Sequence, residues 1–181
     1  AKRLGLFLKN KHIDFIYCSK KNRTKETLEY INKNIDAPTE FTEMLIEQNT
    51  GVFEQKTDKE FFYHIMSLDI KGKELAEYKP EGKGESLLEV EKRAQEFLDK
   101  IKKEHNLNEH ILIISHATFL RFFILRLLKL HIKEAQYFTI HNASLSTFEL
   151  DNDFNVKDYE IDDFKHLLMF SSYEREKVEK V

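Results

Sequence analysis

His116, Arg23 and Glu47 have the types and settings in this chain that could do chemistry. His116 lies in "ILIISHATFLRFFIL", Ile111 to Leu125, which begins as a solid apolar run and continues with helical spacing through Leu120, Phe123 and Leu127. The first half reads as a strand buried on both faces and the second as a helix, so the histidine stands where one breaks into the other. An imidazole changes charge near neutral pH and can give or take a proton there. Arg23 follows the strand-like "IDFIYCS" by four residues and opens a helix. Backbone N–H groups at such a position favour anions, and a guanidinium adds a forked donor that matches phosphate. Glu47, in "LIEQNTGVFEQ", has Leu45, Val52 and Phe53 as neighbours. A carboxyl group drawn partly out of water keeps its proton longer and can act as an acid near neutral pH. Singly, each has an ordinary explanation: a hydrogen-bonded histidine at a strand end, a solvated helix arginine, a surface glutamate. Jointly they describe a place that holds an anion and moves a proton.

The elements that must position these residues follow from periodicity. "AKRLGLFLKNKH" places Leu4, Phe7 and Leu8 on one helical side, with Lys9, Lys11 and His12 suited to a helix C-terminus. No N-cap residue precedes this helix, so the chain is expected to begin inside an element. Ile13 to Ser19 is a short strand, and "TKETLEYINKNI" is a helix with Leu28, Ile31 and Ile35 as its stripe, ending before Pro38. Leu45 to Lys56 reads as a loop, and "DKEFFYHIMSLDIKGKELAEY" as two short helices broken at Gly72. Ser86 to Glu104 is the clearest helix: Ser86 and Glu89 are spaced as a capping box, and Leu87, Val90, Phe97, Leu98 and Ile101 share a face. Near the end, "LSTFEL" alternates like a strand, Asn152 and Asp153 turn it into "NVKDYEI", and the charged tail from Ser171 to Val181 reads as helical.

This order of strand, helix, helical insert, helix, strand and helix implies an α/β fold. The expected form is a three-layer sandwich, a mainly parallel central sheet with helices on both faces. No repeat or linker interrupts it, so residues 1–181 read as one domain. In such sheets ligands meet the carboxyl ends of the strands. The turns Ser19 to Arg23 and Ser115 to Thr118 should therefore open on the same edge.

Composition narrows the function. Hydrophobic residues make up 41% and charged residues 34% of 181, which suits a globular protein and excludes general disorder. A net charge of −3 argues against a nucleic-acid partner, which calls for a basic face. No apolar run is long enough to span a bilayer, so no membrane role is expected. A single cysteine, Cys18, cannot form an internal disulfide and fits a cytoplasmic setting. The histidines show no HExxH pattern and no cysteine pair, and there is no Walker loop, GxGxxG or GxSxG. Neither a metal nor a cofactor is expected.

The ordered set of segments resembles the histidine phosphatase superfamily, in its phosphoglycerate-mutase-like branch. "YCSKKNRTKET" is similar to the family's S-x-x-x-R-x-x-x-T, with Ser19, Arg23 and Thr27 in register. "LIEQNTGVFEQ" resembles L-x-E-x-x-x-G-x-W/F-E through Leu45, Glu47, Gly51, Phe53 and Glu54. "GES" at Gly84 to Ser86 with Arg93, "ISHATFLR" with Ser115, His116 and Arg121, "NAS" at Asn142 to Ser144, and "HL" at His166 and Leu167 complete the series. Departures are few: Ala117 stands where glycine is usual, Lys20 and Lys21 replace Pro-Leu, and Gln55 replaces glycine. The largest is that no Arg-His-Gly, the segment that carries the phosphorylated histidine on the family's first strand, occurs in residues 1–181.

What the resemblance implies is a metal-independent phosphatase acting on small-molecule phosphate monoesters through a phosphohistidine. The nucleophilic histidine is expected upstream of residue 1, with the first strand missing from this chain and the 1–181 segment alone inactive. His116 and Glu47 would be catalytic, the latter as acid, while Arg23 and the Ala117 amide would hold phosphate. The short helical insert between "FEQ" and "GES" favours a phosphatase over a phosphoglycerate mutase, which stays as an alternative. A catalytically inactive phosphate-binding module is the alternative from another class. Loss of the first strand is expected to expose the edges of both Ile13 to Tyr17 and Ile111 to Ile114.

Overall fold

The strands are too short to stand alone, and their burial explains why they pair. In the computed structural model, which describes residues 1–168, β1 (Phe15–Ser19) is almost wholly buried from Ile16 onward. It lies between β2 (Thr39–Thr42) and β3 (Ile111–Ile114), parallel to both. Side chains alternate across this sheet and divide the core in two. Ile16, Cys18, Leu112 and Ile114 meet α1 (Lys2–Leu8) and α2 (Asn22–Asn32) through Leu4, Leu8, Leu28 and Ile31. Tyr17 points the other way, against α5 (Leu87–Glu104) and α6 (Ala117–Leu127). Helices therefore cover both faces of a parallel sheet, as the sequence order implies.

Two core helices show how local chemistry fixes each element. At the start of α5 the Ser86 hydroxyl accepts from the Glu89 N–H at 3.2 Å, and the Glu89 carboxylate accepts from the Ser86 N–H at 2.9 Å. Such a cap stabilises a helix by about 1 kcal/mol. Its apolar stripe Val90, Ala94, Phe97, Leu98 and Ile101 is buried as a row. Helix α6 buries Phe119, Phe122, Phe123, Ile124, Leu125 and Leu127, while Leu120 is only half-buried. The face is thus rotated from the Leu120–Phe123–Leu127 stripe read from spacing, because α6 is apolar nearly all round and spacing alone does not choose its inner side. Phe97 sits edge-on to Tyr17, with ring centroids 5.2 Å apart, and 5.7 Å from Phe123. Each fully buried aromatic of this kind contributes roughly 1.5–3 kcal/mol.

Several details differ from the sequence reading. Ile13 to Tyr17 and Ile111 to Ile114 are each expected to lack a neighbour; β1 is instead paired on both sides, while β3 is an outer strand with one edge unpaired in the sheet. The reason is β2, four residues directly after Pro38 that lack a readable apolar alternation. The segment Leu45 to Lys56 contains two 3₁₀ turns, Glu43–Leu45 and Gly51–Phe53. Helices α3 (Asp58–Ser67) and α4 (Gly72–Glu77) form the insert, with Gly72 opening the second rather than lying between them. Strands β4 (Leu145–Leu150) and β5 (Val156–Asp163) pair as an antiparallel hairpin, a sheet separate from the parallel one. The tail from Ser171 to Val181 lies outside the described residues. Among the described residues no helix is long and apolar enough to cross a membrane.

Candidate active site

At the carboxyl ends of β1 and β3 the two polar turns meet. Strand β1 delivers Ser19, fully buried, and β3 is followed by His116, which is 6% exposed and forms the N-cap of α6. Arg23, in the first turn of α2, donates from Nε to His116 Nδ1 at 2.9 Å. A guanidinium only donates, so Nδ1 must accept; the ring then carries its proton on Nε2 and donates it to Ser19 Oγ, 2.9 Å away. Burial, reinforced by the charges of Arg23, Lys21 and Arg93, holds His116 well below the usual histidine range, at about 4. His116 is therefore neutral, with both nitrogens engaged by protein atoms. The fixed positive charge at this point sits on Arg23, beside the neutral ring.

Glu47 arrives from the other side. Its Oε2 accepts from the Thr118 N–H at 3.2 Å, and its Oε1 from the N–H groups of Phe119 at 3.3 Å and Gln48 at 2.9 Å. The carboxylate thus engages the first turn of α6, where the helix dipole favours negative charge. The remaining amide at that end, from Ala117, has no partner among the described residues and stays open to an anion. Arg23 is exposed, and beyond Nε its N–H groups have no partner among the described residues. The structure thus brings Arg23, His116, Ala117 and Glu47 to one edge of the sheet.

A clamp not foreseen from sequence holds the Glu47 segment. Arg93 on α5 grips Glu85 with two bonds, Nε to Oε1 at 3.0 Å and Nη2 to Oε2 at 2.7 Å. Its Nη1 donates to the carbonyls of Met44 and Ile46, each at 2.8 Å. The Glu85 main chain completes the tie, accepting from Gln48 Nε2 at 2.9 Å and donating to the Asn49 carbonyl at 2.7 Å. Ser115 Oγ donates to the Leu45 carbonyl at 2.7 Å, joining the same segment to the end of β3. Gly51 closes it from below: at φ +61° its missing Cβ would stand 1.8 Å from the Glu81 carbonyl oxygen. The signal in the sequence was the acid of "GES" one helix entry before Arg93, a spacing that puts the pair side by side. Among the described residues no group of His, Cys, Asp or Glu could hold a metal ion.

Comparison with known proteins agrees with this architecture. The model of the histidine phosphatase superfamily (branch 1) matches residues 1–161. No curated protein sequence matches the chain. Among solved structures it is similar to the alpha-ribazole phosphatase of Shigella flexneri, with a TM-score of 0.75 and 17% identity over 90% of this chain and 79% of that one. YhfR of Bacillus stearothermophilus gives a TM-score of 0.72 at 23% identity, covering 91% and 81% of the two chains. A mycobacterial glucosyl-3-phosphoglycerate phosphatase solved with VO3 gives 0.70 at 17% identity, covering 90% and 82%. With the family model spanning all but the last stretch of the sequence, the chain belongs to the histidine phosphatase superfamily.

Proposed function

We propose that this protein hydrolyses small-molecule phosphate monoesters. The observation that carries the reading is the Arg23–His116–Ser19 chain of hydrogen bonds, which fixes an exposed guanidinium at the strand ends, where the Ala117 amide has no partner among the described residues. Those donors suit the non-bridging oxygens of a phosphoryl group. An arriving dianion competes with His116 for Arg23, frees Nδ1, and supplies negative charge that favours a proton on the ring. His116 then stabilises the phosphoryl oxygens as charge builds on them. Glu47 takes a proton from solvent as it gives up one of its N–H contacts, hands that proton to the bridging oxygen as its bond to phosphorus breaks, and later draws a proton from the attacking water. In this reading a histidine set in Arg-His-Gly, a sequence that residues 1–181 do not contain, takes the phosphoryl group and passes it to water without a metal. A cytoplasmic setting fits the single thiol.

The test uses the protein expressed from its complete open reading frame, assayed with a chelator present. Steady hydrolysis with transient labelling of histidine is expected. Glu47→Gln should slow alkyl phosphates about tenfold to a hundredfold more than p-nitrophenyl phosphate, whose leaving group departs without an acid. Equal losses on both substrate types would remove Glu47 from the acid role. Metal-dependent turnover would sink the reading as a whole.

A further inference from the structure

The turn that holds Arg23 carries two more cations, at positions where the family pattern has Pro-Leu. Lys21 is the N-cap of α2, and its backbone N–H lies 3.4 Å from Ser19 Oγ, the atom bonded to His116. Its ammonium group reaches across to Glu54, 3.7 Å away, just past the 3₁₀ turn that follows Glu47. Glu54 is already committed to its own turn, since its Oε1 accepts from the Thr50 N–H at 2.9 Å and the Thr50 hydroxyl at 3.3 Å. Lys20 similarly stands 3.4 Å from Glu43, with side-chain exposures of 51% and 77%. Exposed ion pairs of this length contribute little, so both ammonium groups can change partners readily. Lys21 is also close enough for its charge to act on the His116 ring.

The stretch from Glu47 to Glu54 therefore borders the phosphate turn on one side, and Lys21 bridges the two. A monoester seated on Arg23 and the Ala117 amide, with its bridging oxygen toward Glu47, would direct its organic part to the side that the Glu47–Glu54 stretch and Lys21 share. We propose that Lys20 and Lys21 form a subsite for a second anionic group, a carboxylate or a second phosphate, on the organic part of the substrate. This rests on the phosphate-site reading above and narrows its substrate class to phosphate esters with more than one anionic group.

Matched pairs test it on the protein from the complete open reading frame. 3-Phosphoglycerate and glycerol 3-phosphate differ at one carbon, carboxylate against hydroxymethyl; fructose 1,6-bisphosphate and fructose 6-phosphate differ by one phosphate. The expected result is a KM about fivefold to tenfold lower for the more anionic member of at least one pair, shrinking as salt rises. The pair that shows it identifies which second anion is taken. In K20Q/K21Q the ratio should fall to near one, and in K21E it should invert. A ratio near one in the unsubstituted protein, or a ratio untouched by K20Q/K21Q, overturns the subsite. If calorimetry detects binding of none of the four esters and none is hydrolysed, the phosphate site itself falls, and the subsite with it.

Discussion

His116→Ala lowers turnover of phosphate monoesters by about a hundredfold or more, the usual cost of removing a preorganised donor from a charge-stabilising site. The substitution takes away two things at once. It removes the ring proposed to meet the developing phosphoryl charge, and it releases Arg23, whose Nε is held by His116 Nδ1 at 2.9 Å. A loss confined to KM would mean that the ring only helps to bind. The same residue gives stability a dependence on pH. Its proton affinity is depressed in the folded chain, to about 4, so between there and about 6.5 the unfolded chain binds the proton that the folded one refuses. Stability is therefore fully present above that window and declines as pH falls through it, by about 3 kcal/mol in all. Urea titrations at pH 7 and pH 4.5 should show this decline, and His116→Ala should lose that share of it. An identical slope in the variant would assign the acid sensitivity elsewhere.

The second large effect belongs to a residue away from the phosphate. Arg93→Met should destabilise the protein by about 3–5 kcal/mol, because breaking a mostly buried ion pair strands its partner. The side chains of Arg93 and Glu85 are 15% and 18% exposed, and the guanidinium also satisfies two carbonyls and stacks 5.1 Å over the Phe119 ring. A fall in melting temperature of roughly 10 °C follows for a chain of this size. Replacing Glu85 with Met as well should recover part of the loss, since the stranded carboxylate is gone. Because the clamp holds Met44 and Ile46, the single variant should also acquire the leaving-group preference of Glu47→Gln. A melting point within about 2 °C of the parent would refute the clamp.

Much of this was legible in the residues, and the exceptions have physical causes. Ser86 and Glu89 announced the start of α5, since a capping box is local and needs no tertiary partner. The apolar run Ile111 to Ile114 and the polar turn after it placed His116 at a strand end for the same reason. What escaped depends on contacts between distant segments. Strand β2 is four residues long and exists because β1 offers it a ladder from Ile16 to Ser19. The inner face of α6 is chosen by Phe97 and Tyr17, not by its own spacing. His116's neutrality is set by its burial in the folded chain, reinforced by Arg23, 93 positions away, and Glu47's seat on α6 by N–H groups more than seventy positions on.

Cys18 gives the central strand a built-in chemical reporter. The thiol is fully buried in β1, opposite Phe41 on one side and Ile114 on the other, and burial pushes its pKa up to about 11. A disulfide reagent must wait for the strand to open, because only the exposed thiolate attacks. Labelling kinetics then measure the opening of the same strand that ends in Ser19 and leads to Arg23. An ester bound as proposed, between Arg23 and the Ala117 amide, would tie the turn after β1 to the turn after β3. Its occupancy can thus be read as a slowing of thiol modification, with no turnover required.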